Sequence, residues 1–321
     1  MSWVVISTVL TVIMVPYPVT EAKKCNFPAI FNFGDSNSDT GGLSAAFGQV
    51  PTPNGITFFH TPAGRYSDGR LIIDFLGGVF KKLLPKEEYF SKALYTFDIG
   101  HNDITAGYNL DMTTEQVKAY IPNVLDQFSN VIRSVYKEGG RSFWIHNVGP
   151  IGCLAYMLDR YPVSAAETDN FGCAKPFNEV SQYFNHNLNE TIVQLREELP
   201  KATIIYVDVY TVKYNLISHA QKYGFDENSV VACCGDGGKY NFNNHARCGA
   251  TKIVNGEKIV IAKSCKDPSV KIIWDGIHFT EAANEWIFEQ IANGEFSDPP
   301  ISLKSTSLKI ACRGNVSSYH Y

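Results

Sequence analysis

Three short polar clusters hold residue types that together could carry out nucleophilic acyl transfer. Ser36 lies in "FNFGDSNSDTGG", where small residues leave space around its hydroxyl. A serine hydroxyl is a weak nucleophile until a base removes its proton, and His278 can be that base. Asp275 precedes His278 by three residues, so in a tight turn its carboxylate can orient the imidazole. Asn102, in "GHND", carries an amide that can donate to a developing oxyanion, as can the backbone N–H of Ser36.

Each cluster also has a plain structural interpretation. A serine ahead of a helix is more often a cap than a nucleophile, an isolated Asp-x-x-His is usually surface decoration, and Asn at a strand end is usually a turn residue. Asp35 and Asp39 could be the two carboxylates of a glycosidase, but they share one turn with Ser36, which favours structural hydrogen bonding. The catalytic interpretation therefore requires a fold that brings the three clusters to one place.

The apolar segments around these clusters predict an α/β fold. Four segments are short, apolar on both faces and rich in β-branched or aromatic residues, as strands of a buried parallel sheet are: residues 29–33, 93–99, 142–148 and 203–209. Helices are predicted at three places: residues 113–137 (with a capping-box pattern from Thr113 to Gln116), 174–199 and 280–293. This alternation predicts three layers, α/β/α, around a mostly parallel sheet. Ligands bind beyond the carboxyl ends of such strands, where Ser36 and Asn102 fall.

The rest of the chain is predicted to belong to the same domain. Residues 210–270 are poor in periodicity and rich in Gly, Asn, Tyr and Cys, so we interpret them as a disulfide-tied excursion. An extended piece, "VKIIW", then leads into "DGIHFT" and the last helix. Because no repeat or low-complexity linker divides the chain, we expect one domain over residues 23–321.

Residues 1–22 have the pattern of a secretory signal peptide. The first 19 residues contain no charged side chain, and small residues follow ahead of two lysines. A membrane anchor is the alternative, since the run approaches spanning length if Pro16 and Pro18 are tolerated. Secretion is the favoured interpretation. Because no other segment could span a bilayer, we expect no stable membrane insertion after the signal is cleaved.

The cysteines and the glycosylation sequons agree with export. Eight cysteines, an even number, predict disulfides in a secreted chain. We expect Cys153 to pair with Cys173, and the vicinal Cys233 and Cys234 to pair with different partners. The chain has no CxxC pair and no HExxH motif, so we expect no metal site. Sequons for glycosylation begin at two positions, Asn189 and Asn315.

Charge and composition narrow the range of partners. A net charge of -4 without any block of Lys or Arg argues against nucleic acid. Aromatic residues make up 13% of the chain, enough to fill a core and to line a groove for a carbohydrate or lipid. We therefore expect a small-molecule, carbohydrate or lipid ester as the substrate and leave the oligomeric state open.

These motifs together resemble the plant GDSL esterase/lipases of the SGNH hydrolase superfamily, in particular the early-nodulin-like and latex-allergen-like branch. The segments that carry the resemblance are "FNFGDSNSDTGG", "DIGHND" and "DGIHFTEAAN", with "NVGPIGC", "CAKPFNEV" and "VACCGDGGKYN" between them. The resemblance implies a flavodoxin-like SGNH fold, an extracellular enzyme of the cell wall or apoplast, and no cofactor.

The resemblance also implies a role for each candidate residue. By position, Ser36 is the nucleophile, His278 the base and Asp275 the acid that orients it. The backbone N–H of Ser36 and the side chain of Asn102 form the oxyanion hole. His101 stands where the plant branch often has Gln, and we assign it no catalytic role.

One conserved block of that family is missing here. In the family, a loop glycine after the second strand supplies another oxyanion N–H, but residues 70–76 run directly into the segment ahead of the strand at 93–99. Gly77 and Gly78 resemble the start of the following helical region instead. We expect a sheet that lacks one edge strand and an impaired activity, since a missing oxyanion donor costs about 3 kcal/mol. A deletion, a splice form and a gene-model error would each give this sequence.

Three functions are open at this stage. The first is a secreted serine esterase that hydrolyses carboxylic esters, acyl or acetyl, through a Ser-His-Asp triad. The second is a catalytically weak or inactive secreted glycoprotein that keeps the scaffold, which the missing block supports. The third is a glycosidase with two carboxylates, kept because some proteins of the resembled family carry glycosidase names.

Overall fold

The central sheet is built from the apolar segments that the sequence predicts as strands. The computed structural model describes residues 27–77 and 87–303, and within these ranges four parallel strands lie side by side in chain order: β1 Ile30–Gly34, β2 Leu94–Asp98, β3 Ser142–His146 and β4 Thr203–Val207. A hairpin lies apart from the sheet, formed by β5 Thr251–Val254 and β6 Glu257–Val260. The two-residue β7, Ser297–Asp298, pairs antiparallel with β4. The predicted α/β class with a mostly parallel sheet is confirmed.

Nine α-helices lie within the described ranges and surround this sheet. They are α1 Gly42–Phe47, α2 Ile56–Phe59, α3 Ile72–Gly77, α4 His101–Asn109, α5 Thr114–Lys137, α6 Ala155–Arg160, α7 Lys175–Glu198, α8 Val209–Ser218 and α9 Glu281–Ala292. The start of α5 follows its sequence signal, because Thr113 and Gln116 form the predicted reciprocal capping box. The predicted helices at 174–199 and 280–293 correspond to α7 and α9.

Aromatic residues on the strands show that helices cover both faces of the sheet. The ring of Phe97 on β2 packs edge-on against Phe128 of α5. Trp144 of β3 pairs with Thr96, the residue before Phe97, and lines a small cavity together with Ile72 of α3. Because successive side chains of a strand alternate between faces, α5 and α3 lie on opposite sides of the sheet. This is the predicted three-layer arrangement.

The first strand, β1, lies at the edge of the sheet. It pairs with β2 on one side, and the structure describes no strand on its other side. Phe33 of β1 stacks on Phe97 and is 38% exposed at a shallow apolar groove of about 490 Å³. The edge position of β1 agrees with the predicted loss of one edge strand. Gly77 ends α3 instead of beginning a helix, and Gly78 lies outside the described residues.

One prediction about the second half of the chain needs correction. Residues 210–270 begin with regular structure, since they include most of α8. The extended piece at 270–274 does not join the main sheet and makes only an isolated bridge from Ile273 to Phe279. The carbonyl groups of Ile273 and Trp274 instead accept hydrogen bonds from the backbone of Cys233 and Cys234 in the excursion. The excursion thus takes the place of a neighbouring strand.

The disulfides agree with the cysteine predictions. Cys153 pairs with Cys173, and the vicinal cysteines pair separately, Cys233 with Cys265 and Cys234 with Cys248. Other predictions fall outside the described residues: the signal peptide at 1–22, the sequon at Asn315, Cys25 and Cys312. Among helices in the described ranges, none combines the length and apolar character that a membrane crossing requires.

We expect the Cys234–Cys248 disulfide to contribute substantially to stability. The bonded residues are 14 positions apart, and closing a loop of about that size adds roughly 3 kcal/mol to the free energy of unfolding in the chain-entropy description. A variant with both cysteines replaced by Ser should therefore unfold at lower denaturant concentration. The Cys153–Cys173 double Ser variant is the matched comparison, with a separation of 20 residues. A free energy of unfolding within about 1 kcal/mol of wild type would contradict the expectation.

Candidate active site

A tight turn at the end of β1 presents Ser36 at the carboxyl edge of the sheet. Asp35 donates its N–H to the carbonyl of Asp98 at 3.3 Å, and Ser38 donates its N–H to the carbonyl of Asp35 at 3.0 Å. Gly34 is required by this turn, because a Cβ there would lie 1.9 Å from the Ser38 hydroxyl. The turn therefore depends on small residues, which leaves the Ser36 hydroxyl accessible.

The helix after this turn is capped by a different side chain. The carboxylate of Asp39 accepts the N–H groups of Gly41, Gly42 and Leu43 at 2.6–3.0 Å, at the start of α1. Ser36 is thus not the cap of α1, and its hydroxyl makes another contact.

That contact joins Ser36 to His278, 242 positions later in the chain. His278 Nε2 lies 2.7 Å from Ser36 Oγ, and His278 Nδ1 lies 2.7 Å from Asp275 Oδ2. Asp275 Oδ1 also accepts the backbone N–H groups of Ile277 and His278 at 3.0 and 2.9 Å. These backbone bonds fix the carboxylate against the imidazole. The structure therefore places the three predicted triad side chains in one continuous line of hydrogen bonds.

The turn that holds Asp275 and His278 requires glycine between them. Gly276 has φ of 96°, in the left-handed region, and a Cβ there would lie 2.3 Å from the ring of Phe242. Phe242 belongs to the disulfide-tied excursion. Phe242 of the excursion therefore packs against the turn at Gly276.

A loop before α3 contacts the ring face of the His278 imidazole. The ring of Tyr66 stacks on His278 with centroids 5.1 Å apart. The loop is anchored by its two arginines: Arg65 pairs with Asp74 and Arg70 with Glu281. Because Glu281 is the first residue of α9, this ion pair ties the loop to the helix that follows His278.

Asn102 lies in the first turn of α4, beside the candidate nucleophile. Its side chain is exposed and, within the part of the chain that the structure describes, makes no hydrogen bond. It lines two cavities that both include Ser36, a larger open one of about 780 Å³ and a smaller one of about 170 Å³. A free amide at this position can donate to an oxygen atom held at Ser36.

The electrostatic environment keeps Asp275 ionised. Burial raises the pKa of the Asp275 carboxyl, but the facing His278 and hydrogen bonds from His278 and Ile277 outweigh burial and hold this pKa below its usual range. The carboxylate is therefore negative at neutral pH and can stabilise a positive charge on His278.

His101 lies next to Asn102 and is held neutral. Burial lowers its pKa, and the positive charge of Lys213 lowers it further, against weaker opposing effects of Asp35 and Asp98. Its Nε2 accepts the N–H of Gly149 at 3.1 Å. A neutral imidazole that uses Nε2 as acceptor carries its proton on Nδ1.

The structure also shows neighbours of Ser36 and His101 that the sequence did not indicate. Tyr66 stacks on His278, Arg247 lines both cavities, and Lys213 is a core lysine with 2% exposure. Neither Lys213 nor Arg247 lies in a recognisable catalytic or binding motif. Lys213 follows apolar residues of a helix, and Arg247 lies in a segment without periodicity. Tyr66 stands between two arginines in "AGRYSDGR", which is the one signal in the sequence for its loop.

Two remaining site predictions can be placed. Asn189 is exposed on the surface of α7, in a helix and not in a loop. Over the residues that the structure describes, no group of three or more His, Cys, Asp or Glu side chains is positioned to bind a metal ion.

Comparison with known proteins identifies close relatives. A GDSL esterase/lipase of Arabidopsis thaliana is 51% identical over 90% of this chain and 94% of the relative. Alpha-L-fucosidase 3 of Arabidopsis thaliana is 45% identical over 86% of this chain and 93% of the relative. The GDSL esterase/lipase ACHE of Zea mays is 45% identical over 87% of this chain and 89% of the relative.

The alignments also bear on the missing block. The first alignment is 359 positions long, but 90% of 321 residues is only about 289, so about 70 aligned positions have no residue in this chain. The sequence model of the GDSL-like Lipase/Acylhydrolase family matches residues 77–291, beginning at the junction where the block is expected. This chain therefore belongs to the GDSL lipase/acylhydrolase family and, by that membership, is a carboxylic ester hydrolase.

Proposed function

We propose that the protein is a secreted serine esterase that hydrolyses carboxylic esters through Ser36, His278 and Asp275. The observation that carries the proposal is the pair of 2.7 Å contacts that link the Ser36 hydroxyl through the imidazole to the Asp275 carboxylate. A serine, a base within hydrogen-bond reach and a group that orients the base are the arrangement needed to activate a hydroxyl nucleophile.

The reaction follows from this geometry. Ser36 Oγ attacks the ester carbonyl carbon while His278 Nε2 takes the hydroxyl proton, and Asp275 stabilises the imidazolium. The carbonyl oxygen becomes negative and is stabilised by the backbone N–H of Ser36 and the side-chain amide of Asn102. His278 then gives its proton to the leaving alcohol, and water repeats the sequence on the acyl-serine to release the acid.

The role of Asn102 can be tested by truncation. We expect Asn102→Ala to lower kcat on 4-nitrophenyl acetate by about 10²–10³-fold, the usual effect of removing one oxyanion donor. KM should change little, because the donor acts mainly on the transition state. Asn130→Ala, at an exposed position of α5, is the matched control and should retain wild-type kcat. Equal kcat for wild type and Asn102→Ala would remove Asn102 from the oxyanion hole.

A weak or inactive glycoprotein is the alternative, supported by the missing block. A site with two oxyanion donors should turn over more slowly than one with three, by roughly 10²–10³-fold. Labelling with a fluorophosphonate separates the two possibilities, since it requires an activated serine. Labelling of the folded protein at Ser36 supports the esterase, and its absence supports the inactive glycoprotein.

A glycosidase is the second candidate, because one relative is named Alpha-L-fucosidase 3. Asp35 and Asp39, the two carboxylates that share a turn with Ser36, are engaged in local hydrogen bonds. Asp39 is occupied by three backbone N–H groups, and Asp35 accepts two hydrogen bonds from Asn37. Release of 4-nitrophenol from its α-L-fucoside, without any from its acetate ester, would favour the glycosidase.

Secretion is part of the proposal. The three disulfides and the plant esterase relatives are compatible with an extracellular protein. An extracellular site in the cell wall would expose the enzyme to carbohydrate or lipid esters. Mass spectrometry of the protein from culture medium tests both cleavage near residue 22 and a glycan at Asn189 or Asn315.

A further inference from the structure

Arg247, a cation with no acidic partner in the described part of the chain, lies beside the candidate nucleophile. Arg247 lines both cavities that meet at Ser36. Its Nη2 donates to the side-chain oxygen of Asn244 at 2.8 Å, and no carboxylate in the described ranges forms an ion pair with it. The two arginines of the Tyr66 loop, in contrast, each pair with a carboxylate. The charge of Arg247 is therefore available to a bound molecule.

The positive charge of Arg247 is less opposed by carboxylates in the smaller cavity than in the larger one. Among the residues that the structure describes, no Asp or Glu side chain lines the smaller cavity, whereas Asp35 and Asp39 line the larger cavity. His101 also lines the smaller cavity, and its pKa is lowered by burial and by Lys213, so it adds no positive charge at neutral pH. An anionic group is favoured in this cavity over the larger one.

The neutral wall residues add hydrogen-bond donors. The Oδ1 atom of Asn109 accepts the hydroxyl groups of Tyr156 and Tyr161, which leaves its amide N–H groups as donors. Asn109 and Tyr156 both line the smaller cavity together with Arg247. Charge and spare donors at one cavity are the chemistry that recognises a carboxylate.

The size of the cavity limits what it can hold. A volume of about 170 Å³ accommodates about six groups the size of a water molecule. This suits a four-carbon acyl group that ends in a carboxylate. The larger cavity of about 780 Å³ is open and can hold the alcohol part of the ester.

Arg247 is exposed, and its backbone is held by its neighbours in the chain. Cys248 is bonded to Cys234, whose N–H donates to the carbonyl of Trp274 immediately before Asp275. The backbone carbonyl of Arg247 accepts the N–H of Ala250 at 2.8 Å. The excursion thus ties this arginine to the same segment that carries the candidate acid.

We propose that the preferred substrates are half-esters of short dicarboxylic acids, with the free carboxylate bound by Arg247 in the smaller cavity. This inference rests on the proposed esterase function and specifies its acyl group. Ser36 Oγ bonds to the ester carbonyl carbon, the bond to the alcohol oxygen breaks, and the alcohol leaves with the proton from His278. Water then cleaves the acyl-serine, which gives the dicarboxylate and returns the proton to Ser36 through His278.

Two esters of nearly equal size test the proposal. Monoethyl succinate and ethyl butanoate differ mainly in a carboxylate in place of a methyl group, and acid release from each can be followed in a pH-stat. We expect Arg247→Gln to lower the ratio of kcat/KM for monoethyl succinate over ethyl butanoate at least tenfold. Lys252→Gln removes an exposed positive charge from the same excursion, on β5, and should leave the ratio unchanged.

A labelling experiment gives a second readout that does not need turnover. Succinate should slow fluorophosphonate labelling of Ser36 in wild type more than butanoate does, and Arg247→Gln should abolish the difference. An unchanged ratio in Arg247→Gln, or equal protection by the two acids, overturns the assignment of Arg247 while the esterase stands. Absence of both ester hydrolysis and labelling in wild type instead overturns the proposed function, and this inference with it.

Discussion

Ser36→Ala should abolish ester hydrolysis. We expect kcat on 4-nitrophenyl acetate to fall at least about 10⁴-fold, because removal of the nucleophile leaves only binding and the oxyanion donors to promote direct attack by water. Fluorophosphonate labelling should disappear with the hydroxyl. His278→Ala should lose a similar factor in kcat, since residues that act as a unit are not additive.

A matched substitution separates loss of chemistry from loss of structure. Ser134 is exposed on α5 and donates its hydroxyl to the carbonyl of Asn130, so Ser134→Ala makes the same change away from the site. It should keep wild-type kcat, and the thermal unfolding midpoint of Ser36→Ala should stay close to that of wild type. Retained hydrolysis by Ser36→Ala would show that another residue is the nucleophile.

The strands and long helices could be predicted because their information is local. Strands β1 to β4 are short apolar runs of β-branched and aromatic residues, and α5 begins with a capping box that the sequence spells out. The pairing of Asp275 with His278 is also local, since residues three apart meet in one turn. These features need no knowledge of the rest of the chain.

The residues that surround the candidate nucleophile could not be predicted in this way. Arg247 and Tyr66 reach the site from segments without periodicity, and their approach depends on a disulfide and on ion pairs with distant residues. The position of the extended piece at 270–274 likewise depends on distant residues, because the carbonyl groups of Ile273 and Trp274 accept the N–H groups of Cys233 and Cys234. Contacts between distant segments decide these positions.

The position of Ser36 does not depend on a further strand beyond β1, and none is described there. The register of β1 is set by five pairs with β2, from Ile30 opposite Leu94 to Gly34 opposite Asp98. The turn that carries Ser36 is held to the same strand by the hydrogen bond from Asp35 to the carbonyl of Asp98. A strand on the other side of β1 would therefore add stability and cover Phe33 without being needed to position the nucleophile.

Asp275→Asn tests the orientation of the imidazole. In wild type, Asp275 Oδ1 accepts the backbone N–H groups of Ile277 and His278 and lies 2.9 Å from His278 Nδ1, whereas Oδ2 lies nearer to Nδ1, at 2.7 Å. An asparagine must keep its carbonyl oxygen toward these two donors, which turns its amide nitrogen toward Nδ1. Because that nitrogen is a donor, Nδ1 becomes the acceptor and the ring proton moves to Nε2.

A protonated Nε2 cannot accept the proton of Ser36, so we expect kcat to fall by about 10³–10⁴-fold in Asp275→Asn with little change in fold. Asp159→Asn, at an exposed position of α6, makes the same substitution outside the site and should retain full kcat. The kcat of both variants on 4-nitrophenyl acetate at neutral pH provides the measurement, since the lowered pKa of Asp275 keeps the wild-type carboxylate ionised there. A fall of less than tenfold would mean that the carboxylate does not control the tautomer, and that the hydrogen bond to His278 serves only to hold the turn.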